Sequence, residues 1–75
     1  LRKGLDKVDA RKAWEDIMGA GVNSYTSRVE LKNDVLYVSL TSSVLREELS
    51  LGKSKIIVML NEVLGQELIK RLVLR

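Results

Sequence analysis

The sequence predicts a two-layer α+β domain in the order helix, strand, strand, helix, strand. Three observations carry that prediction. Apolar residues recur at helical spacing before Gly19 and again between Leu45 and Val63; two alternating segments flank Asn33-Asp34; and branched residues return between Leu68 and Arg75. Two helices laid on one face of a three-stranded sheet would bury both apolar stripes and the inward faces of the strands.

From about Asp6 to Met18, the residues Ala10, Trp14, Ile17 and Met18 fall on one face, with Arg11, Lys12, Glu15 and Asp16 elsewhere. Asp6 or Asp9 can cap the start of this helix, and Gly19 and Gly21 supply the permissive backbone that ends it. Trp14, the sole tryptophan, reads as a core anchor on an apolar stripe, against base stacking or partner contact. Residues 25–32 and 35–41 then form a hairpin, because Asn33 and Asp34 tolerate the positive φ of a tight turn. A two-residue turn pairs Leu31 with Leu36 and Val29 with Val38, placing four apolar side chains on one face.

The segment Thr41 to Gly65 admits two readings. Gly52-Lys53-Ser54 would end a Walker A loop, G-x-x-x-x-G-K-[ST], but the first glycine position holds Glu47, whose carboxylate would face phosphate charge. The residues before it are helix formers where that motif needs a strand, so a nucleotide site on Lys53 is set aside. As a helix, the segment places Leu45, Leu49, Gly52, Ile56, Met59, Leu60 and Val63 on one face, with Glu47, Ser50, Ser54 and Asn61 opposite. Thr41, Ser42 or Ser43 can cap it, Glu47 and Glu48 favour its positive end, and Gly65 suits a left-handed residue after its last turn. Gly52 then sits on the buried face, explained by close approach of a neighbour or by a break into two helices, and the unbroken helix is the expectation. Residues 68–75 read as a third, edge strand with Leu72 and Leu74 on one face and Arg71, Val73 and Arg75 on the other.

A chain of 75 residues forms one domain. Such a domain buries about 60% of its unfolded surface and is stable by about 4 to 11 kcal/mol. There is no cysteine and no histidine, which excludes disulfides, thiol or imidazole nucleophiles and Cys/His zinc sites, and leaves the cytoplasm as the default location. No metal or cofactor is expected. No apolar run approaches a membrane span, and no signal peptide is visible. The chain begins at Leu1 without methionine, so a preceding part of the gene product is expected. The first twelve residues hold five cations, Arg2, Lys3, Lys7, Arg11 and Lys12, against Asp6 and Asp9, an excess equal to the whole net charge of +3. Residues 1–7 therefore read as a flexible basic arm, for nucleic acid or an acidic partner, although most such runs are solvated helix faces.

Two surfaces stand out. The outward sheet face would carry Arg28, Glu30, Lys32, Tyr37, Ser39, Arg71 and Arg75, a composition suited to a phosphate backbone and an occasional stacked base, or simply to solvent. On the long helix, Val44, Leu51 and Val58 form an apolar line away from the main stripe, with Ile57 on the other flank. One flank packs on the first helix; any remainder would meet a protein partner or form a homodimer, unless all of it is buried. Catalysis is not expected. The acids mostly sit beside lysine or arginine, Glu47 and Glu48 point to different sides of a helix, and Ser42 and Ser43 are better explained as caps than as nucleophiles.

Three segments together resemble the DciA-like family of bacterial domains, long catalogued as a domain of unknown function. They are Trp14-Glu15-Asp16-Ile17-Met18-Gly19, matching W-x-x-I-hydrophobic-G; Leu31 through Val38; and Ser42 through Leu49, continuing through Leu60-Asn61 to Gly65. With the last strand the resemblance covers residues 8–75. It implies a fold similar to the K-homology domain, a module for single-stranded nucleic acid, and a role in loading the replicative helicase onto DNA. The G-x-x-G clamp of that domain is absent, with Leu51-Gly52-Lys53-Ser54 the nearest approach, so the usual binding groove is not expected. Some relatives carry long tails or a zinc ribbon; this chain has no cysteine for a ribbon and its last strand runs to Arg75.

The expected function is that of a non-enzymatic adaptor in DNA replication, meeting the helicase or another protein and touching single-stranded DNA or RNA. Arg2, Lys3, Arg11, Lys12, Arg28, Lys32, Tyr37, Arg71 and Arg75 would contact nucleic acid, and Val44, Leu51 and Val58 the partner. The alternative is a protein-interaction or dimerisation module without nucleic-acid binding.

Overall fold

The computed structural model describes residues 7–75, with the backbone alone for Lys7, Val8 and Asp9. Of the expected basic arm, residues 1–6, with Arg2, Lys3 and the candidate cap Asp6, lie outside the described residues, whereas Lys7 belongs to the first helix. The element order is α1 (Lys7–Asn23), β1 (Thr26–Lys32), β2 (Val35–Leu40), α2 (Ser43–Ser50), α3 (Lys53–Leu64) and β3 (Arg71–Leu74). The sheet order is β1-β2-β3, with β1 antiparallel and β3 parallel to β2.

The first helix passes Gly19 instead of stopping there. Gly19 adopts φ 80, ψ 178, a conformation open essentially to glycine alone, and kinks the chain into a last short turn ending at Asn23. Ala10, Ala13 and Trp14 face inward, and Trp14 is wholly buried. Its indole Nε1–H donates to Thr26 Oγ1 at 3.2 Å, and that hydroxyl donates to the Val22 carbonyl at 2.9 Å. The tryptophan is a core anchor, with its polar edge satisfied by the strand it packs on.

The hairpin has the expected register: Leu31 opposes Leu36 and Val29 opposes Val38, while Asn33 takes the left-handed conformation at φ 56. β3 is shorter than the expected residues 68–75. Lys70 and Arg71 both donate backbone N–H groups to the Asp34 carbonyl, so pairing begins where β2 begins, and the preceding Ile69 plugs the core instead. Asn61 holds that approach in place, donating from Nδ2 to the Ile69 carbonyl and accepting the Ile69 N–H, both at 2.9 Å.

The expected unbroken helix is two helices. An uninterrupted helix over residues 43–64 would run about 33 Å, against about 20 Å for the strands beneath it, and would carry part of its apolar stripe past the sheet. Instead Leu51 and Gly52 donate to the carbonyls three residues back, Glu48 and Leu49, which tightens and ends α2, and Ile56 donating to Gly52 begins α3. Of the three candidate caps, Ser42 serves, its Oγ accepting the Leu45 N–H at 3.2 Å. Gly52 is not close-packed: a Cβ there would meet nothing within 4 Å. The break also turns α3 about its axis, so Ile56, Leu60 and Leu64 are buried while Met59 and Val63, expected inward, face solvent. Gly65 closes α3 at φ 81, its N–H and that of Gln66 reaching back to Glu62 and Asn61 carbonyls.

Candidate nucleic-acid interface

Because Val29, Leu36, Val38 and Leu72 point toward α1 and α3, the alternate strand residues point away from the helices. Register arranges them in three cross-strand rows. One row is Lys32, Val35 and Arg71; the next is Glu30, Tyr37 and Val73. The third is Arg28, Ser39 and Arg75: Arg75 donates to the Val38 carbonyl and accepts from the Leu40 N–H, which sets it beside Ser39. Four cations thus mark the corners of a frame roughly 10 Å across the strands and 13 Å along them, with Tyr37 at its centre. Among the described residues, none of the four cations makes an ion pair with a carboxylate. The Arg75 guanidinium lies over the Tyr37 ring, 4.8 Å from its centroid. Ser27 is the extra residue of a bulge between Thr26 and Arg28; it shifts Thr26 to face Leu40, while Arg28 stays opposite Ser39 in the register that the turn sets.

The half-buried Val35 and Val73 belong to this face and were not among the expected contacts. Strand alternation carries the information that would have found them. Arg11 and Lys12 are exposed on α1, in the layer on the other side of the sheet, so they do not join the frame. Arg11 is also paired, its Nε 3.0 Å from Glu15 Oε2.

The three expected partner residues are all exposed, at 68% for Val44, 88% for Leu51 and 56% for Val58, but they do not form one line. The helix break separates them. Val44 shares a shallow hollow with Met18, Val22 and Tyr25, whereas Leu51 and Val58 flank another beside Lys55. Met59 and Val63 are also on the surface of α3, 37% and 49% exposed, although sequence periodicity had assigned them to the core. Lys53 and Ser54 open α3 directly after α2, so Gly52-Lys53-Ser54 lacks the strand-to-loop setting of a phosphate loop.

Among the described residues, no group of three or more His, Cys, Asp or Glu side chains could hold a metal ion. No described helix is long and apolar enough to cross a membrane. No curated protein and no solved structure matches the chain. The family model described as Dna[CI] antecedent, DciA, matches residues 1–74, and the chain therefore belongs to the DciA family, a family of helicase-loader-like adaptors.

Proposed function

We propose that this chain is a non-enzymatic, cytoplasmic adaptor that holds single-stranded DNA on its open sheet face while a protein partner, the replicative helicase, docks on its helical side. The observation that carries this reading is the frame of Arg28, Lys32, Arg71 and Arg75 around Tyr37. Four long, flexible cations around an aromatic ring suit a strand whose bases are free to stack; a duplex offers no such bases to a flat sheet. The helix junction at Leu51-Gly52-Lys53-Ser54 supports a likeness to the K-homology domain, but neither glycine position of its clamp holds glycine. That departure favours the sheet face over the groove beside the clamp.

Four phosphate contacts to a single strand give a slope of log affinity against log salt of roughly −3. Fluorescence anisotropy with a labelled oligonucleotide should show it, and Arg28→Glu with Arg71→Glu should flatten the slope and weaken binding. A slope near zero, or an unchanged affinity in that double variant, sinks the proposal. The same titration with RNA decides between the two nucleic acids. The exposure of Leu51 and Val58 favours a second reading, a protein-interaction module without nucleic-acid binding, and the absence of any binding in the titration would leave that one standing.

A further inference from the structure

The outward side of α3 is complementary to itself. Lys55 and Glu62 lie seven residues apart, two turns and about 10 Å, on the line of the helix that points away from the core. Val58 and Met59 stand midway between them, one on each side of that line, and both are exposed. Among the described residues, neither Lys55 nor Glu62 makes an ion pair. Beyond Lys55 projects Leu51, the most exposed large apolar side chain of the chain's described part. Beyond Val58, in the other direction, lies a shallow hollow bounded by Glu62, Gly65 and Gln66.

We propose that two copies of this chain associate through α3 about a two-fold axis, with the helices antiparallel. Turning a second copy about an axis between Val58 and Met59 sets Lys55 of each against Glu62 of the other. The same rotation sets Val58 against Val58 and Met59 against Met59. It also carries Leu51 of each copy to the level of Gln66 of the other, over the hollow. One operation therefore matches a charge pair twice, an apolar centre, and a projecting leucine with a recess, which is what an isologous interface requires. A different protein of arbitrary shape would need none of these coincidences. The patch is small, so the dimer belongs to the weak class and should be populated at protein concentrations on the order of hundreds of micromolar. This inference does not depend on nucleic-acid binding.

Charge reversal tests it with side chains that the fold does not need, both being exposed. Sedimentation equilibrium of the wild type should show a monomer–dimer equilibrium, with Trp14 emission confirming the fold of every variant. Lys55→Glu places like charges in contact twice, as does Glu62→Lys, and each should weaken the dimer at least tenfold. The double variant restores both pairs and should dimerise like the wild type. An equimolar mixture of the two single variants should form a heterodimer, because each then offers what the other lacks. A wild type that stays monomeric at millimolar concentration overturns the proposal and leaves α3 to a different protein. So does a dimer indifferent to the single reversals, or a double variant or mixture that fails to recover.

Discussion

Replacing Gly19 by alanine isolates one physical effect. The residue sits at φ 80, ψ 178, yet a Cβ built there meets nothing within 4 Å, so no side-chain clash contributes. What changes is the backbone alone. Holding a non-glycine residue in that region costs about 1–3 kcal/mol, while the reduced freedom of the unfolded chain returns about 0.4–1 kcal/mol. The net loss is therefore about 1–2 kcal/mol, or roughly 4–16 °C in Tm for a domain of this size. Gly21→Ala is the matched control, because Gly21 lies two residues on, has equally open space and no positive φ. That variant should be neutral or more stable by up to about 1 kcal/mol. Urea unfolding followed by the buried Trp14 measures both, with equal m-values expected. Equal stability of Gly19→Ala and Gly21→Ala would refute the assignment of strain to Gly19. It would also remove the physical reason for a glycine at the end of the Trp14–Gly19 motif.

Three further expectations concern the joints of the fold. Asn61→Ala removes both hydrogen bonds to the Ile69 backbone and should cost about 1–3 kcal/mol in the same urea assay. Thr26→Val leaves the Trp14 indole N–H without its acceptor inside the core, with a loss of about 1–3 kcal/mol and an altered Trp14 emission. Gly52→Ser supplies α3 with the side-chain cap it lacks, and should raise stability by a few tenths of a kcal/mol; a marked loss would show that Gly52 is close-packed after all.

The hairpin was legible because everything that fixes it is local. Asn33 tolerates the left-handed backbone, and a two-residue turn leaves only the pairing of Leu31 with Leu36 and Val29 with Val38 that turns all four toward the core. The helix break was not legible in the same way. A glycine on an apolar stripe gives one pattern whether it marks a close contact or a junction, and what decides is the length of the sheet beneath, a tertiary property. The error propagated by geometry. A continuous 3.6-residue period assigned Met59 and Val63 to the core, whereas the junction restarts the phase and turns both outward. The cationic face lies between these cases. Alternation alone placed Arg28, Lys32, Tyr37, Arg71 and Arg75 on one face. That Arg75 stands in the row of Arg28, with its guanidinium over Tyr37, depends on β3 joining β2 in parallel from thirty residues away. No local pattern encodes such a choice.

The two proposed surfaces lie on opposite sides of the molecule, and this has a measurable consequence. The sheet face points away from the helices, and the outward line of α3 points away from the sheet, so an α3-mediated dimer would display two cationic faces turned from each other. Dimerisation then leaves the intrinsic affinity of each face unchanged but makes the pair bivalent. An oligonucleotide that spans one face should bind the wild type and the uncharged variant Leu51→Ser alike. One long enough to reach around both faces should favour the wild type, with the second contact made at the effective concentration of a tethered strand. The gain is bounded by the weakness of the dimer, so it should appear only where sedimentation finds the dimer populated. Equal affinities of wild type and Leu51→Ser for the long strand at such concentrations would mean that the two faces never act on one molecule of DNA. A difference already present on the short oligonucleotide would instead place Leu51 in the nucleic-acid site itself, and the division between sheet and helix would have to be redrawn.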